Sequence, residues 1–203
     1  MTVSSLHKPT SAEAATTAPA LDYKIVPGEP SDAEAIASLG GRVFYESFAH
    51  SMPADDMATY LATTYTRDLI HAEMLDARHT FFVARDTASD RLLGFAQLTT
   101  GSSEPCLSSV AAERGIELQR IYTDSAAHGR GIGSALFDRA LEYARPRYDA
   151  VWLGVWEENE KAQRFYTRHG FHRVGEHDFK IGTCVQTDWI LERHFEKDEP
   201  AGR

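Results

Sequence analysis

Apolar positions along the chain follow two rhythms, and the switches between them mark out the elements. Tyr23-Lys24-Ile25-Val26 alternates as a short strand and is ended by Pro27. Pro30-Ser31-Asp32 reads as a helix start, with Ser31 as N-cap and Glu34 at capping-box spacing. Ile36, Leu39, Val43, Phe44 and Phe48 then recur at helical spacing and form one apolar face. A second helix opens at Pro53 and runs through Tyr60 and Leu61, and a third covers roughly Arg67 to Ala77. At His79 the period changes. His79 to Arg85 and Leu92 to Leu98 are β-prone runs around the polar stretch Asp86 to Asp90, which predicts an antiparallel hairpin. Thr99 to Gly115 is rich in Ser, Gly and Pro and reads as a loop, and Ile116 to Thr123 as the next strand.

Helical spacing returns at Ile132, Ala135, Leu136, Ala140, Leu141 and Ala144, until Pro146 ends the run. Val151 to Trp156 is a further strand. Glu157 to His169 is a helix with acids at its start and Arg164, Arg168 and His169 at its end, matching the macrodipole. Gly170 stands where a C′ glycine is expected, and Phe171 to Phe179 and Val185 to Leu191 finish the chain as two strands. The pattern predicts one mixed α/β domain over residues 21–195, a central sheet of about seven strands flanked by helices. A disordered tail at 1–20 and a short tail at 196–203 are expected on either side.

Composition narrows the function. The chain has 203 residues, 42% of them hydrophobic, enough for one well-buried core and short for two. Its net charge of −9 supplies no excess of Lys and Arg to neutralise phosphates, so a nucleic-acid partner is not expected. A negative field does favour the approach of a small cation. Cys106 and Cys184 stand far apart without a Cys-x-x-Cys pattern, which argues against a disulfide framework or a zinc site and for a reducing, cytoplasmic compartment. No apolar run has bilayer length, and residues 1–20 lack the hydrophobic segment of a secretory signal, so no membrane association is expected. His50, His71 and His79 lack metal-ligand spacing, and no metal is expected.

The most informative segment runs from Glu117 to Phe137. A strand enters a turn with glycines at 129, 131 and 133, and the turn opens directly into an amphipathic helix. Glycine lets a backbone approach an anion closely, and a helix N-terminus offers unpaired N–H groups with partial positive charge. A Walker loop would need Gly-Lys-Ser/Thr, which is absent here. A dinucleotide fingerprint would need a third glycine where Ser134 stands. A purely structural turn remains the alternative.

The segment His128-Gly-Arg-Gly-Ile-Gly133 resembles the Q/R-x-x-G-x-G/A motif of the GNAT superfamily of N-acetyltransferases, with His in place of the usual first residue. A second segment, Asn159 to Phe171, resembles that family's N-x-x-A-x-x-F-Y-x-x-x-G-F signature at every defined position. The resemblance implies the single-domain GNAT fold and acetyl-CoA as co-substrate. It implies that Ile121, Tyr122 and Thr123 face the pantetheine and acetyl group, and that His128, Gly129, Arg130, Gly131, Ile132, Gly133 and Ser134 cradle the phosphates. Asn159 and Lys161 would also contact the cofactor. Tyr166 would stand near the thioester sulfur as the acid, and Glu117, on the strand bordering the acetyl group, would be the base. Bland readings stand beside these: a helix cap for Asn159, a core aromatic for Tyr166, and an ion pair with Arg120 for Glu117. Leu118 to Tyr122, Trp152 to Ala162 and Gln186 to Asp188 further resemble bacterial spermidine/spermine acetyltransferases of the Pai type, which implies a polyamine or other small primary amine as acceptor. An amino-acid, drug or toxin amine, a protein lysine, or a non-catalytic CoA-binding module are the alternatives. Relatives are often dimers, so a homodimer is expected. Phe44, Tyr45 and Phe48 lie where relatives place the acceptor-covering helices, and Trp156 and Trp189 offer faces to a cation.

Overall fold

The computed structural model describes residues 22–107 and 111–196; the expected tails fall outside these residues, apart from Glu196. Seven strands form one sheet: β1 (Tyr23–Pro27), β2 (His79–Asp86), β3 (Leu92–Thr100), β4 (Gly115–Thr123), β5 (Ala150–Trp156), β6 (His172–Ile181) and β7 (Cys184–His194). Their spatial order is β1-β2-β3-β4-β5-β7-β6. Every neighbouring pair is antiparallel except β4 and β5, which run parallel and pair only at Gly115–Ala150, Ile116–Val151 and Glu117–Trp152. Five helices cover the sheet: α1 (Ala33–Phe48), α2 (Ala54–Thr64), α3 (Arg67–Leu75), α4 (Ile132–Ala144) and α5 (Glu160–Arg168). None of the helices described is long and apolar enough to cross a membrane.

Both faces of the sheet are covered, so its central strands are buried along most of their length rather than at alternate residues. Successive side chains still divide between two cores. Phe82, Ala84, Leu118, Ile121 and Leu153 pack against Leu136 and Phe137 of α4 and Phe165 and Tyr166 of α5. Phe81, Val83, Phe95 and Tyr122 pack on the other face against Ile36, Val43 and Phe44 of α1. In β4 this division contains an irregularity. Gln97 lies opposite Arg120, but Leu98 lies opposite Leu118, so Gln119 is an extra, bulged residue. The bulge resets the phase of the strand. Leu118 and Ile121 both enter the α4 core, while Glu117 and Tyr122, an odd number of residues apart, both line the same cavity on the opposite face. A regular strand would put those two side chains on opposite faces.

The element boundaries differ from the sequence reading at a few places, each for a local reason. Ser31 is not the cap of the first helix. Pro30 opens a short 3-10 turn over Pro30–Asp32, and the Asp32 carboxylate reaches back to accept from the Glu29 N–H at 2.9 Å, while also pairing with Arg85. Thr99 and Thr100 remain in β3 because β4 lies alongside to pair with them. The helix expected from Glu157 begins only at Glu160, with Asn159 as its cap. Gly170 ends it with φ 82°, a left-handed conformation that favours glycine.

Candidate functional site

Beyond Glu117 and Trp152 the parallel strands part. From Leu153 to Trp156, β5 pairs on its other side with β7, and the β5-facing edge of β4 from Leu118 to Thr123 has no strand partner. A wedge-shaped slot results, bordered by main-chain donors and acceptors. Its mouth is the glycine turn. Asp124 accepts from the Ala126 N–H at 3.0 Å and holds the turn that follows β4. Gly129 and Gly131 have φ of 77° and 78°, and Gly131 is the N-cap of α4 with no side-chain cap. Both glycines are exposed, and a Cβ on Gly129 would meet nothing within 4 Å. The first amides of α4, at Ile132, Gly133 and Ser134, thus stand at an open, positively polarised helix end suited to a diphosphate. His128 Nε2 lies 3.3 Å from the Thr123 carbonyl, to which it donates, so this ring fastens the turn to the end of the strand. Arg130 is half-buried beside it. Ile121 points into the α4 core, whereas Tyr122 and Thr123 are buried at the strand's free end.

Tyr166, on α5, lies in the core that packs against α4. It is fully buried among Phe137, Phe165 and Phe171, yet its hydroxyl has no hydrogen-bond partner. Burial, with the Tyr122 hydroxyl nearby, pushes its pKa far above the ordinary phenol value, so it keeps its proton. Such a group is a donor awaiting an acceptor. Asn159 Oδ1 accepts from the Ala162 N–H at 3.1 Å, which makes it the helix cap; its NH2 group is not used in that bond. Lys161 is half-buried, and burial pulls its pKa down.

On the other face of the sheet the slot meets a cavity of about 160 Å³. Tyr60, Tyr65, Tyr122, Trp152 and Phe179 give it aromatic walls, and Glu117 and Asp188 give it two carboxylates. Tyr65 and Tyr122 share a hydrogen bond of 2.8 Å between their hydroxyls. The Glu117–Arg120 ion pair does not form. Arg120 instead bonds Glu73 Oε2 at 2.6 Å and Gln97 Oε1 at 2.5 Å, leaving Glu117 with an elevated pKa caused by burial and only partly opposed by the nearby Ser102 hydroxyl and the Arg120 charge. Asp188 is wholly buried and neither carboxylate oxygen has a partner. Burial raises its pKa too, with His177 opposing. Gly154 makes room for this carboxylate, since a methyl on Gly154 would lie 3.3 Å from Asp188 Oδ2.

The remaining expected acceptor residues are not gathered in the cavity. Phe44 and Phe48 are core residues; Phe44 backs the wall through Tyr60, ring centroids 4.6 Å apart. Tyr45 is exposed on α1. Trp156 packs on Phe48 and His50. Trp189 lies on the opposite face from its neighbour Asp188, packed against the α4 core under Arg173. Trp152, Asp188, Tyr60, Tyr65 and His177 line the cavity and were missed by the sequence reading. A signal for Asp188 existed: Gln186 and Asp188 alternate in phase with the apolar Ile190, which puts polar side chains on a buried face.

A larger cleft of about 950 Å³ lies at the other end of the sheet, by the C-terminus of α4, but its charges are matched, as in the 2.5 Å Arg114–Asp149 pair. By contrast, three of the six buried side-chain polar atoms left without a partner among the described residues line the smaller, aromatic-walled cavity, the Trp152 indole N–H and both Asp188 oxygens; the Tyr166 hydroxyl is another of the six. In a folded protein such atoms are few and their clustering marks a binding site. No group of metal-ligating side chains comes together among the described residues. The slot, the uncapped helix end and the unpartnered Tyr166 hydroxyl together fit acetyl-CoA.

Comparison with known proteins agrees with this geometry. Residues 42–171 match the Acetyltransferase (GNAT) family. An uncharacterized N-acetyltransferase of Lactobacillus delbrueckii subsp. lactis is 30% identical over 171 residues, covering 84% of this chain and 96% of that protein. Among solved structures, the PaiA N-acetyltransferase of Thermoplasma acidophilum in complex with coenzyme A superposes with a TM-score of 0.66 at 19% identity, covering 86% of this chain and 99% of the other. The spermidine/spermine N-acetyltransferase SpeG of Vibrio cholerae gives 0.60 at 22% identity, covering 85% and 93%. These two likenesses concern the fold.

Proposed function

Given that this chain belongs to the acetyltransferase (GNAT) family and acetylates an amine nitrogen with acetyl-CoA, we propose that the acetyl group passes directly to a small primary amine within one ternary complex, the acceptor being a polyamine or similar cation. The observation that carries this reading is the unpartnered Tyr166 hydroxyl, buried in the signature segment of α5 with Tyr122 of the free β4 edge nearby. Acetyl-CoA supplies the activated acetyl group; the side chains manage protons and position.

An alkylammonium group has a pKa of about 10.4 and must lose a proton before its nitrogen can attack. Glu117 is the base, taking that proton directly or through one water. Burial raises its pKa towards the working pH, where a base combines adequate strength with the right protonation state. Tyr166 holds its proton at the point where a departing thiolate needs one, and donates from its hydroxyl oxygen. The cradle from His128 to Ser134 anchors the diphosphate through main-chain amides, with Asn159 and Lys161 at the neighbouring helix end. Aromatic walls exclude water from the reacting atoms and offer faces to a cation.

Support for a cationic acceptor comes from the two cavity carboxylates, the net charge of −9, and the likeness to spermidine/spermine acetyltransferase. An acceptor that carries its own carboxylate is disfavoured, because Arg120 is already engaged by Glu73 and Gln97. The test is a thiol-release screen with acetyl-CoA over spermidine, short diamines, amino acids and lysine peptides. Release with diamines or spermidine above the others is expected; release confined to amino acids or peptides would overturn the acceptor assignment.

A further inference from the structure

We propose that Asp188 is the residue that recognises the acceptor: its carboxylate, seated in the gap left by Gly154, receives an ammonium group, so that the enzyme selects amines without a carboxylate close to the nitrogen. The inference rests on the acetyl-transfer reading for the identity of the site, but its chemistry stands on Asp188 itself.

The carboxylate lies at the centre of the β5-β7 half of the cavity. Asp188 pairs across from Trp156, and its side chain lies over Gly154, on the part of β5 that has already separated from β4. It is completely buried, and neither oxygen accepts a hydrogen bond. A buried charge without a partner costs several kcal/mol and persists in folded proteins where something else compensates it. The surroundings provide that compensation only in part, and through no hydrogen bond. His177 is the nearest titratable side chain, with Nε2 3.9 Å from Asp188 Oδ2, beyond hydrogen-bond reach. Its other nitrogen, Nδ1, is 2.8 Å from Glu104 Oε1 and donates to it. His177 is thus hydrogen-bonded to Glu104 and makes no hydrogen bond to Asp188. Arg120, on the cavity wall, is committed to Glu73 and Gln97. Glu117 adds a second negative group to the same cavity, and Glu157 adds repulsion from outside.

What is missing is a cation with several N–H donors, small enough for a cavity of about 160 Å³ and content against aromatic rings. A primary ammonium on an unbranched stem meets each requirement: its N–H groups reach Oδ1 and Oδ2, and its charge and methylenes face Tyr60 and Phe179. A carboxylate one or two carbons from the nitrogen would be driven against Asp188 and Glu117 together. Selectivity between a diamine and an amino acid of the same length then follows from charge rather than size.

The experiment pairs calorimetry with turnover, using the full-chain enzyme saturated with CoA and two probes of equal length, 1,3-diaminopropane and β-alanine. The wild type is expected to bind the diamine at least about 10-fold more tightly than β-alanine. Asp188→Asn is expected to weaken diamine binding about 10- to 100-fold, the range for a charge-assisted hydrogen bond, to narrow the preference over β-alanine, and to leave CoA affinity within about two-fold. Should Asp188→Asn fail to fold, Gly154→Ala serves in its place, since its methyl displaces the carboxylate; it is expected to weaken diamine binding about five-fold or more with CoA affinity kept. Unchanged diamine binding in the folded variant, absence of diamine binding by the wild type, or a wild-type preference for β-alanine each overturns the proposal. Because calorimetry reads no turnover, Asp188-dependent binding without thiol release would sink the acetyl-transfer reading alone. Thiol release that ignores the substitution would sink the role of Asp188 alone.

Discussion

Tyr166→Phe removes one oxygen and should change stability and rate in opposite directions. The ring is held by Phe137, Phe165 and Phe171 at centroid separations of 5.9, 5.4 and 5.6 Å, and Phe preserves all of these contacts. The hydroxyl itself has no partner and no exposure. A buried hydroxyl in that condition costs about 1–3 kcal/mol. Deleting it leaves a small void that returns part of the gain, so the free enzyme should be stabilised by roughly 1 kcal/mol, or about 2–4 °C in Tm for a chain of this size. The rate should move the other way. General-acid assistance contributes about 10²–10⁴-fold, so kcat should fall by about 10² or more, a rise in barrier of at least ~2.7 kcal/mol, with CoA affinity held within about two-fold. Differential scanning fluorimetry with and without CoA, alongside steady-state thiol release, measures both quantities. A variant that melts several degrees lower would show that the hydroxyl had a structural partner. One with unchanged kcat would remove Tyr166 as the acid.

Three further outcomes are expected. Gly131→Val should raise the Kd for CoA about 10-fold or more in calorimetry, because φ 78° at the α4 N-cap is strained for a β-branched residue and the side chain stands in the phosphate cradle; unchanged affinity would place the diphosphate elsewhere. Burial lifts the Glu117 pKa above its ordinary 4.5, and activity needs the deprotonated form, so the acid limb of the pH–rate profile should lie above 4.5 with rate rising through it. Glu117→Gln should lower kcat about 10²-fold and flatten that limb, and a limb that survives the substitution would assign it to another group. Arg120→Met should destabilise by about 2–3 kcal/mol in urea unfolding by leaving the half-buried Glu73 carboxylate and the buried Gln97 without their partner, while Arg120→Met combined with Glu73→Met should recover part of the loss; simple additivity would show that the pair is not coupled.

Much of the architecture was legible because local chemistry and global fold agree. The two periods placed all seven strands and five helices, since β2, β3, β4, β5 and β7 are buried on at least one face and each helix carries a single apolar stripe. The glycine turn was readable for a similar reason: positive φ at Gly129 and Gly131 is a backbone demand that few other residues meet. The acceptor cavity was less so. Its residues come from α2, β4, β5, β6 and β7 and from Tyr65 beyond α2, and periodicity does not report which of several aromatics meet across a sheet. Trp156 and Trp189 stand out in the sequence as tryptophans, whereas Trp152, four residues before Trp156 and on the same face of β5, reaches the cavity. The Gln119 bulge, which brings Glu117 and Tyr122 to one face, leaves no mark in the pattern of β4.

The seam between β4 and β5 spans three residue pairs, and this shortness has a mechanical consequence. Glu117 and Tyr122 belong to one half-sheet, Trp152, Gly154 and Asp188 to the other, so the two carboxylates facing an acceptor are mounted on opposite leaves of a shallow hinge. Whatever bridges the free edges of the wedge also sets the spacing between those leaves. Because the two halves are joined at so short a seam, the cavity is completed from both sides of it, and its shape depends on how far apart the free edges of β4 and β5 stand.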